Sequence, residues 1–143
     1  MELIWRFLSE ESYWARGIPR ELVERSIANS MVFGAYLPGP DEPKDRQIGF
    51  ARVVTDRATF AYLADVFVLT PYRGHGIAKQ LLIAIQAHPD LQGLRRWMLA
   101  TADAHTLYEQ FGFSPPSKPQ TLMELRPKIG YGSGVVNLGA RIE

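Results

Sequence analysis

Cysteine is absent from this 143-residue chain, and that absence removes disulfides, thiolate metal sites and a cysteine nucleophile together. It also fits a reducing compartment. A surplus of one charge is missing too. Sixteen Lys and Arg stand against 15 Asp and Glu, so the basic face that a nucleic-acid or membrane-surface binder needs is not expected, and neither partner is. Nowhere do eighteen apolar residues run uninterrupted, and Met1-Glu2-Leu3-Ile4-Trp5-Arg6 has no positive region ahead of a long apolar stretch. Both features point to a cytoplasmic address. The histidines are only His75, His88 and His105; none pairs with another at the spacing of a metal-binding helix, so no metal centre is expected. Internal repeats are lacking as well. What remains is 46% hydrophobic and 22% charged residues, the balance of a single globular domain, 1–143, with one main core.

The most informative stretch runs from Val66 to Leu82, where an apolar strand passes through Thr70-Pro71-Tyr72-Arg73-Gly74-His75-Gly76 directly into an apolar helix. Two glycines around His75 let the backbone bend sharply and keep side chains away from its N–H groups. The helix that begins there offers unpaired N–H donors and the positive end of its dipole, which suit a phosphate or pyrophosphate. Spacing narrows the choice of cradle. A P-loop needs Lys and Ser/Thr after its last glycine, but Ile77 and Ala78 follow Gly76. A dinucleotide fingerprint needs Gly or Ala where Lys79 stands, and an acidic residue about twenty positions later that is not evident.

Around this stretch the chain reads as follows. Leu3, Trp5 and Phe7 alternate with Glu2, Ile4 and Arg6, the pattern of a half-buried strand. A short helix from Ser9 breaks at Gly17, and Pro19 opens a second helix carrying Leu22, Val23 and Ile27 and ending at Asn29-Ser30. Met31–Leu37 is a strand closed by the proline-rich loop Pro38 to Pro43. Gln47–Thr55, with Ile48, Phe50, Arg52 and Val54 on one face, and Phe60–Leu69, apolar but for Asp65, complete an antiparallel meander with a turn at Asp56-Arg57. The helix after Gly76 has Ile77, Leu81, Ile85, Leu82 and Ala78 around most of its circumference. Arg95–Ala100 returns as a parallel strand; Thr101–Gln110 is a short helix left through Gly112; Thr121–Leu125 is a last strand. Residues 127–143 read as a tail or arm. The order β-α-α-β-β-β-α-β-α-β is α+β with a mixed sheet.

Arg73-x-x-Gly76-x-Ala78 resembles the Arg/Gln-x-x-Gly-x-Gly/Ala signature of the GNAT superfamily of N-acetyltransferases. A second stretch, Thr101 to Phe113, is similar to that family's downstream Asn-x-x-Ala-x-x-Leu-Tyr-x-x-x-Gly-Phe. Ala104, Leu107, Tyr108, Gly112 and Phe113 match, and Thr101 stands in place of the Asn. Two signatures at the right separation are far harder to obtain by chance than one, and the likeness covers roughly residues 1 to 126. It implies a GNAT-like fold, a mostly antiparallel central sheet of six to seven strands with about four helices. It also implies acetyl-CoA as co-substrate and transfer of its acetyl group directly to a primary amine of a small molecule.

The resemblance assigns roles residue by residue. The backbone of Phe67 and Val68 would hold pantetheine and the thioester oxygen. The N–H groups of Gly74, His75, Gly76, Ile77 and Ala78 would take the pyrophosphate, with Arg73 adding charge and His75 acting through its amide. Lys79 either reaches a CoA phosphate or is simply solvated, and Thr101 holds the place of a family cofactor-site residue. Tyr108 resembles the tyrosine that protonates the departing sulfur, and it also reads as a core tyrosine beside Phe111 and Phe113. Asp65 is either the base that deprotonates the amine or the partner of an arginine such as Arg52. Acceptor-pocket candidates are Tyr13, Trp14, Ile18, Asn29, Ser30, Phe33 and Arg52. A homodimer is compatible with the sequence. The rival functions are a non-catalytic acetyl-CoA sensor and a protein N-terminal or lysine acetyltransferase.

Overall fold

In the computed structural model, which describes residues 1–39 and 46–127, the chain opens with a helix where alternation predicts a strand. Helix α1, Glu2–Arg6, runs without a break into a π-helical turn, Phe7–Glu11, closed by Ser12 N–H donating to Phe7 O at 3.0 Å. The reason lies in Ile4, Phe7 and Leu8, all buried and spaced i, i+3, i+4. A strand would bury Leu3, Trp5 and Phe7 and turn Ile4 and Leu8 outward. Seven residues satisfy both patterns, and burial of all three decides for the helix.

Helix α2, Arg20–Ala28, starts after Pro19 as expected. Strands β1, Met31–Leu37, β2, Arg46–Thr55, and β3, Phe60–Val68, form the predicted antiparallel meander. Helix α3 is Ile77–Ala87, and β4, Arg96–Met98, lies parallel to β3 in a sheet of order β1-β2-β3-β4. Helix α4, His105–Glu109, is shorter than the predicted Thr101–Gln110 because the residues before it form a turn held by the Thr101 hydroxyl. Gly112 leaves it with a φ of +91°.

Helices cover both faces of the sheet. On one face α1, the π turn and α2 bury Ile4, Phe7, Leu8 and Val23 against Phe50 and Phe67, with the Phe7 and Phe67 rings stacked at 3.9 Å between centroids. On the other, Leu82 and Ile85 of α3 pack on Ala51, Val53, Ala61 and Leu63. Helix α3 buries one face only: Ile83 is exposed, and most of its circumference is not enclosed. Along β2 the expected face breaks up, since Phe50 belongs to the first cluster and Val54 is exposed.

Among the described residues the sheet has four strands rather than six to seven. One expected strand is α1. The other, Thr121–Leu125, follows a 3₁₀ turn at Pro119–Thr121 as chain without a ladder partner, leaving Met123 98% and Leu125 88% exposed. Phe113, Ser114, Pro115 and Pro116 share a cavity with β4, and proline cannot donate to a ladder. The proline-rich loop from residue 40 on and the tail beyond Pro127 lie outside the described residues. Among those that are described, no helix is long and apolar enough to cross a membrane.

Candidate active site

A register irregularity in β3 opens the site. Phe50 faces Phe67 and Arg52 faces Ala64, so two steps along β2 match three along β3, and the extra residue falls at Asp65-Val66. Asp65 absorbs it with a φ of +53°, a left-handed conformation that Asp tolerates better than most residues. Such a bulge bends its strand and sharpens the twist. β3 pairs with β4 only through Phe60–Tyr62 against Arg96–Met98; β4 ends at Met98, so among the described residues the edge of β3 beyond Tyr62 has no ladder partner on that side, and this open edge is the wedge. Leu69 N–H donates to Ile48 O at 2.8 Å, toward β2. Backbone groups alternate along a strand, so those of Val68 face the wedge. Val68 O there accepts from Arg73 Nε at 3.0 Å.

At the wide end of the wedge lies the glycine loop. Gly74 and Gly76 have φ of +83° and +75°, and a Cβ at either would meet nothing within 4 Å. Both glycines are therefore dictated by backbone conformation, and the space beside them is open. The first helical bond of α3 is Gln80 N–H to Gly76 O at 3.1 Å. The N–H groups of Gly74, His75, Gly76, Ile77, Ala78 and Lys79 meet no acceptor among the described residues. Consecutive free donors at the positive end of an eleven-residue helix suit an anion. Arg73 and Lys79 are exposed beside it.

A second constellation occupies the α1–α2 face. Asp65 Oδ2 accepts from Arg52 Nε at 2.8 Å and Oδ1 from Trp14 Nε1 at 2.9 Å. Arg52 Nη1 donates onward to Ser30 Oγ at 3.1 Å, and Ser30 Oγ donates to Ser26 O. The Arg52 and Asp65 side chains are only 18% and 12% exposed, so each compensates the desolvation of the other. Tyr13 reaches the far bank of the wedge, where its Oη accepts from Ala102 N–H at 2.9 Å.

Tyr108 projects from α4 among Trp97, Leu99 and Phe111, with its ring 5.9 Å edge-on from Phe113. Burial, followed by the neighbouring Tyr13 phenol and Asp103 carboxylate, pushes its hydroxyl up to about 12. Thr101 accepts from Ala104 N–H at 3.0 Å and shapes the turn before α4. Both residues line a cavity of about 400 Å³ along β4. Another, about 570 Å³, lies between β1 and α3 and takes in Phe33, Tyr72 and His75. Neither cavity is lined by Asp65 or Arg52.

The structure thus brings Trp14, Ser30, Arg52 and Asp65 into one hydrogen-bonded group with Tyr13 edge-on to Trp14, and places Val68 and residues 73–79 along the wedge and its loop; Phe67 is not there, because it alternates with Val68, pairs with Phe50 on β2 and buries its ring in the α1 cluster. It does not bring Phe33 there: that ring packs with the α3 cluster and edge-on to His88 at 5.8 Å. Ile18 packs on the α1 cluster, its carbonyl accepting from Trp5 Nε1, and Asn29 caps α2 through Arg25 O. Sequence reasoning missed Ala102 and the bulge at Asp65. A lone acid in an apolar run was the available signal for the second; nothing signalled the first. Among the described residues, no three His, Asp or Glu side chains gather as a metal site.

The family model for the acetyltransferase (GNAT) domain matches residues 28–115, and the chain belongs to that family. A crystal structure from Xanthomonas campestris pv. campestris, described as an acetyltransferase of the same family, is 52% identical; the match covers 92% of this chain and 89% of that one with a TM-score of 0.85. A protein of Gibberella zeae described as an acetyltransferase is 30% identical over 70% of this chain, which spans 64% of the fungal protein's length. A GNAT acetyltransferase of Elizabethkingia anophelis, solved with acetyl-CoA bound, shares the fold at 17% identity and a TM-score of 0.52, over 67% of this chain and 61% of that one.

Proposed function

We propose that this protein transfers the acetyl group of acetyl-CoA directly to a primary amine of a small molecule. The observation that carries the reading is the continuity of the wedge with the row of free N–H donors from Gly74 to Lys79. A diphosphate on those donors, with Arg73 beside it, directs the pantetheine arm down the wedge along β3. Acetyl-CoA in the Elizabethkingia relative supports the choice of ligand. The backbone of Val68, and by alternation that of Val66, supplies hydrogen bonds to the arm and to the thioester oxygen, while Phe67 gives its ring to the core.

The amine nitrogen attacks the thioester carbon, the C–S bond breaks, the nitrogen loses a proton and the sulfur gains one. Tyr108 stands on the β4 side as hydrogen-bond donor to the sulfur. A phenol near 12 holds its proton more tightly than an ordinary thiol near about 8.5, so it steadies the thiolate while solvent completes the proton transfer. Asp65 has both oxygens engaged, by Arg52 and Trp14. Its part is to hold that group in place, and water takes the proton from the amine. With no cysteine in the chain, a cysteinyl acyl-enzyme has no place in the sequence of steps.

Calorimetry with acetyl-CoA and a thiol-release assay over polyamines, amino acids, aminoglycosides and simple primary amines test the proposal. Binding with amine-dependent release is expected. Binding without release across the whole panel would leave a sensor instead, and absence of binding removes the reading altogether.

A further inference from the structure

β4 pairs with β3 along one edge, and its other edge has no ladder partner among the described residues. Arg95 N–H donates to Thr59 O, toward β3, so by alternation the backbone groups of Arg96 and Met98 face the free edge. Along that edge runs the cavity of about 400 Å³ walled by residues 96–101, by α4 and by residues 113–116. No residue of β3 or α3 lines it. Just beyond the last wall the chain carries a segment with the composition and conformation of a strand. Leu122 is extended, with φ of −93° and ψ of 136°, and Met123 and Leu125 are 98% and 88% exposed. An open sheet edge and an exposed apolar extended segment are each a template for pairing with another chain.

We infer that residues 121–125 of one copy add to the free edge of β4 in a second copy, which returns its own segment in the same way, giving a homodimer by reciprocal strand exchange. Three observations name a second copy as the occupant. The segment leaves its own cavity empty because the turn before it directs the chain outward: Thr121 N–H and Oγ1 both donate to Lys118 O, at 3.0 and 2.7 Å, and Leu122 N–H donates to Pro119 O at 3.1 Å. Charge also matches. Arg96 and Glu109 line the cavity, while Glu124 and Arg126 on the segment are exposed and 3.3 Å from each other. Finally, the exchange closes. Any other occupant of the cavity leaves Met123 and Leu125 in water, whereas two copies about a two-fold axis cover both segments and both cavities and leave neither free to recruit a third. By alternation Met123 and Leu125 share one face of the inserted strand, and Met98, Tyr108 and Phe113 offer apolar surface in the cavity. The partner's strand thus backs the bank that carries Tyr108, on the side that no residue of β3 lines. The exchange goes beyond acetyl transfer and does not depend on it.

Light scattering on the full chain at micromolar concentration should give twice the monomer mass, and the melting temperature should rise with protein concentration. Met123→Glu combined with Leu125→Glu puts charge where the exchange needs apolar side chains, so the dimer dissociation constant should increase about a hundredfold. If the segment were merely solvated, the same change would leave mass and melting temperature as they are. The lack of native cysteine makes the connectivity readable. Met98→Cys, combined in turn with Leu122→Cys, Met123→Cys, Glu124→Cys and Leu125→Cys, brings thiols on neighbouring strands within disulfide reach in at least one pairing. Oxidation should then yield a covalent dimer on a non-reducing gel, and Met98→Cys alone should yield none. A disulfide closed within one chain would mean that the segment fills its own cavity. That result, a monomeric wild type, or a dimer that survives both glutamates would each overturn the exchange while leaving acetyl transfer untouched.

Discussion

Asp65 concentrates three demands on one side chain: a left-handed backbone, a charge opposite Arg52 and an acceptor for Trp14. Replacing it by Asn keeps the tolerance for positive φ and one carbonyl oxygen for Trp14, and removes only the charge. The Arg52 guanidinium is then left largely buried without its counter-ion, so Asp65→Asn should lower stability by about 1–3 kcal/mol, read from the urea midpoint. Asp65→Ala should cost more. Tyr108 makes a prediction with a sign. Its folded-state value, near 12, is above the ordinary 10.0 of tyrosine, so the unfolded chain loses the proton first. The stability tied to this phenol is complete below pH 10 and is lost as pH rises through 12. Melting temperature should therefore fall between pH 10 and 11 more steeply in the wild type than in Tyr108→Phe. The sequence marked both residues, Asp65 as an acid among apolar neighbours and Tyr108 by its flanking pattern. It did not mark Ala102, because an amide held by a phenol 89 residues away leaves no trace in local spacing.

Elements bounded by turn residues were legible because the chemistry that ends them is local. Gly74 and Gly76, read as the pair that lets the backbone bend sharply, both take positive φ, and the Asp56-Arg57 turn is closed by Asp56 accepting from Ala58, Thr59 and Phe60 N–H groups. The meander followed from such punctuation. Elements defined by distant partners were not legible. Residues 2–8 fit two periods until the sheet supplied a surface for Ile4, Phe7 and Leu8, and Thr121–Leu125 has strand composition but no strand beside it among the described residues. The glycine loop permits an element-scale test. A Cβ at Gly76 meets nothing, so Gly76→Ala costs only conformation, about 1–2 kcal/mol for a left-handed residue. Relaxing that strain would turn the N–H groups away from a common focus. Acetyl-CoA affinity should fall about tenfold by calorimetry, and Gly76→Asn, which accepts positive φ more readily, should lose less.

At the scale of the whole molecule the wedge divides the protein. One bank is β3 with the helices packed on it; the other is a three-residue β4 with a five-residue α4, joined to the first by Phe60–Tyr62, by the Tyr13 bridge, by Gln86 Nε2 donating to Phe111 O, and by Trp97, Leu99, Leu107 and Phe111 packed on the α3 cluster. A ligand lying in the wedge touches both banks, so it should protect both against local opening, where an anion at the loop protects only the loop. At a hundredfold excess over its dissociation constant, acetyl-CoA adds about 2.7 kcal/mol, which for a chain of this length raises the melting temperature by roughly 10 °C. Inorganic diphosphate occupies the loop alone and makes no contact with the second bank. Compared at equal saturation, the two ligands should give the same shift in melting temperature if stabilisation were simple mass action. What separates them is where the protection lies: hydrogen exchange at β4 and α4 should slow with acetyl-CoA and remain fast with diphosphate. Equal protection by both would mean that the second bank is already fixed without the ligand, and that the acyl arm does not bridge the wedge.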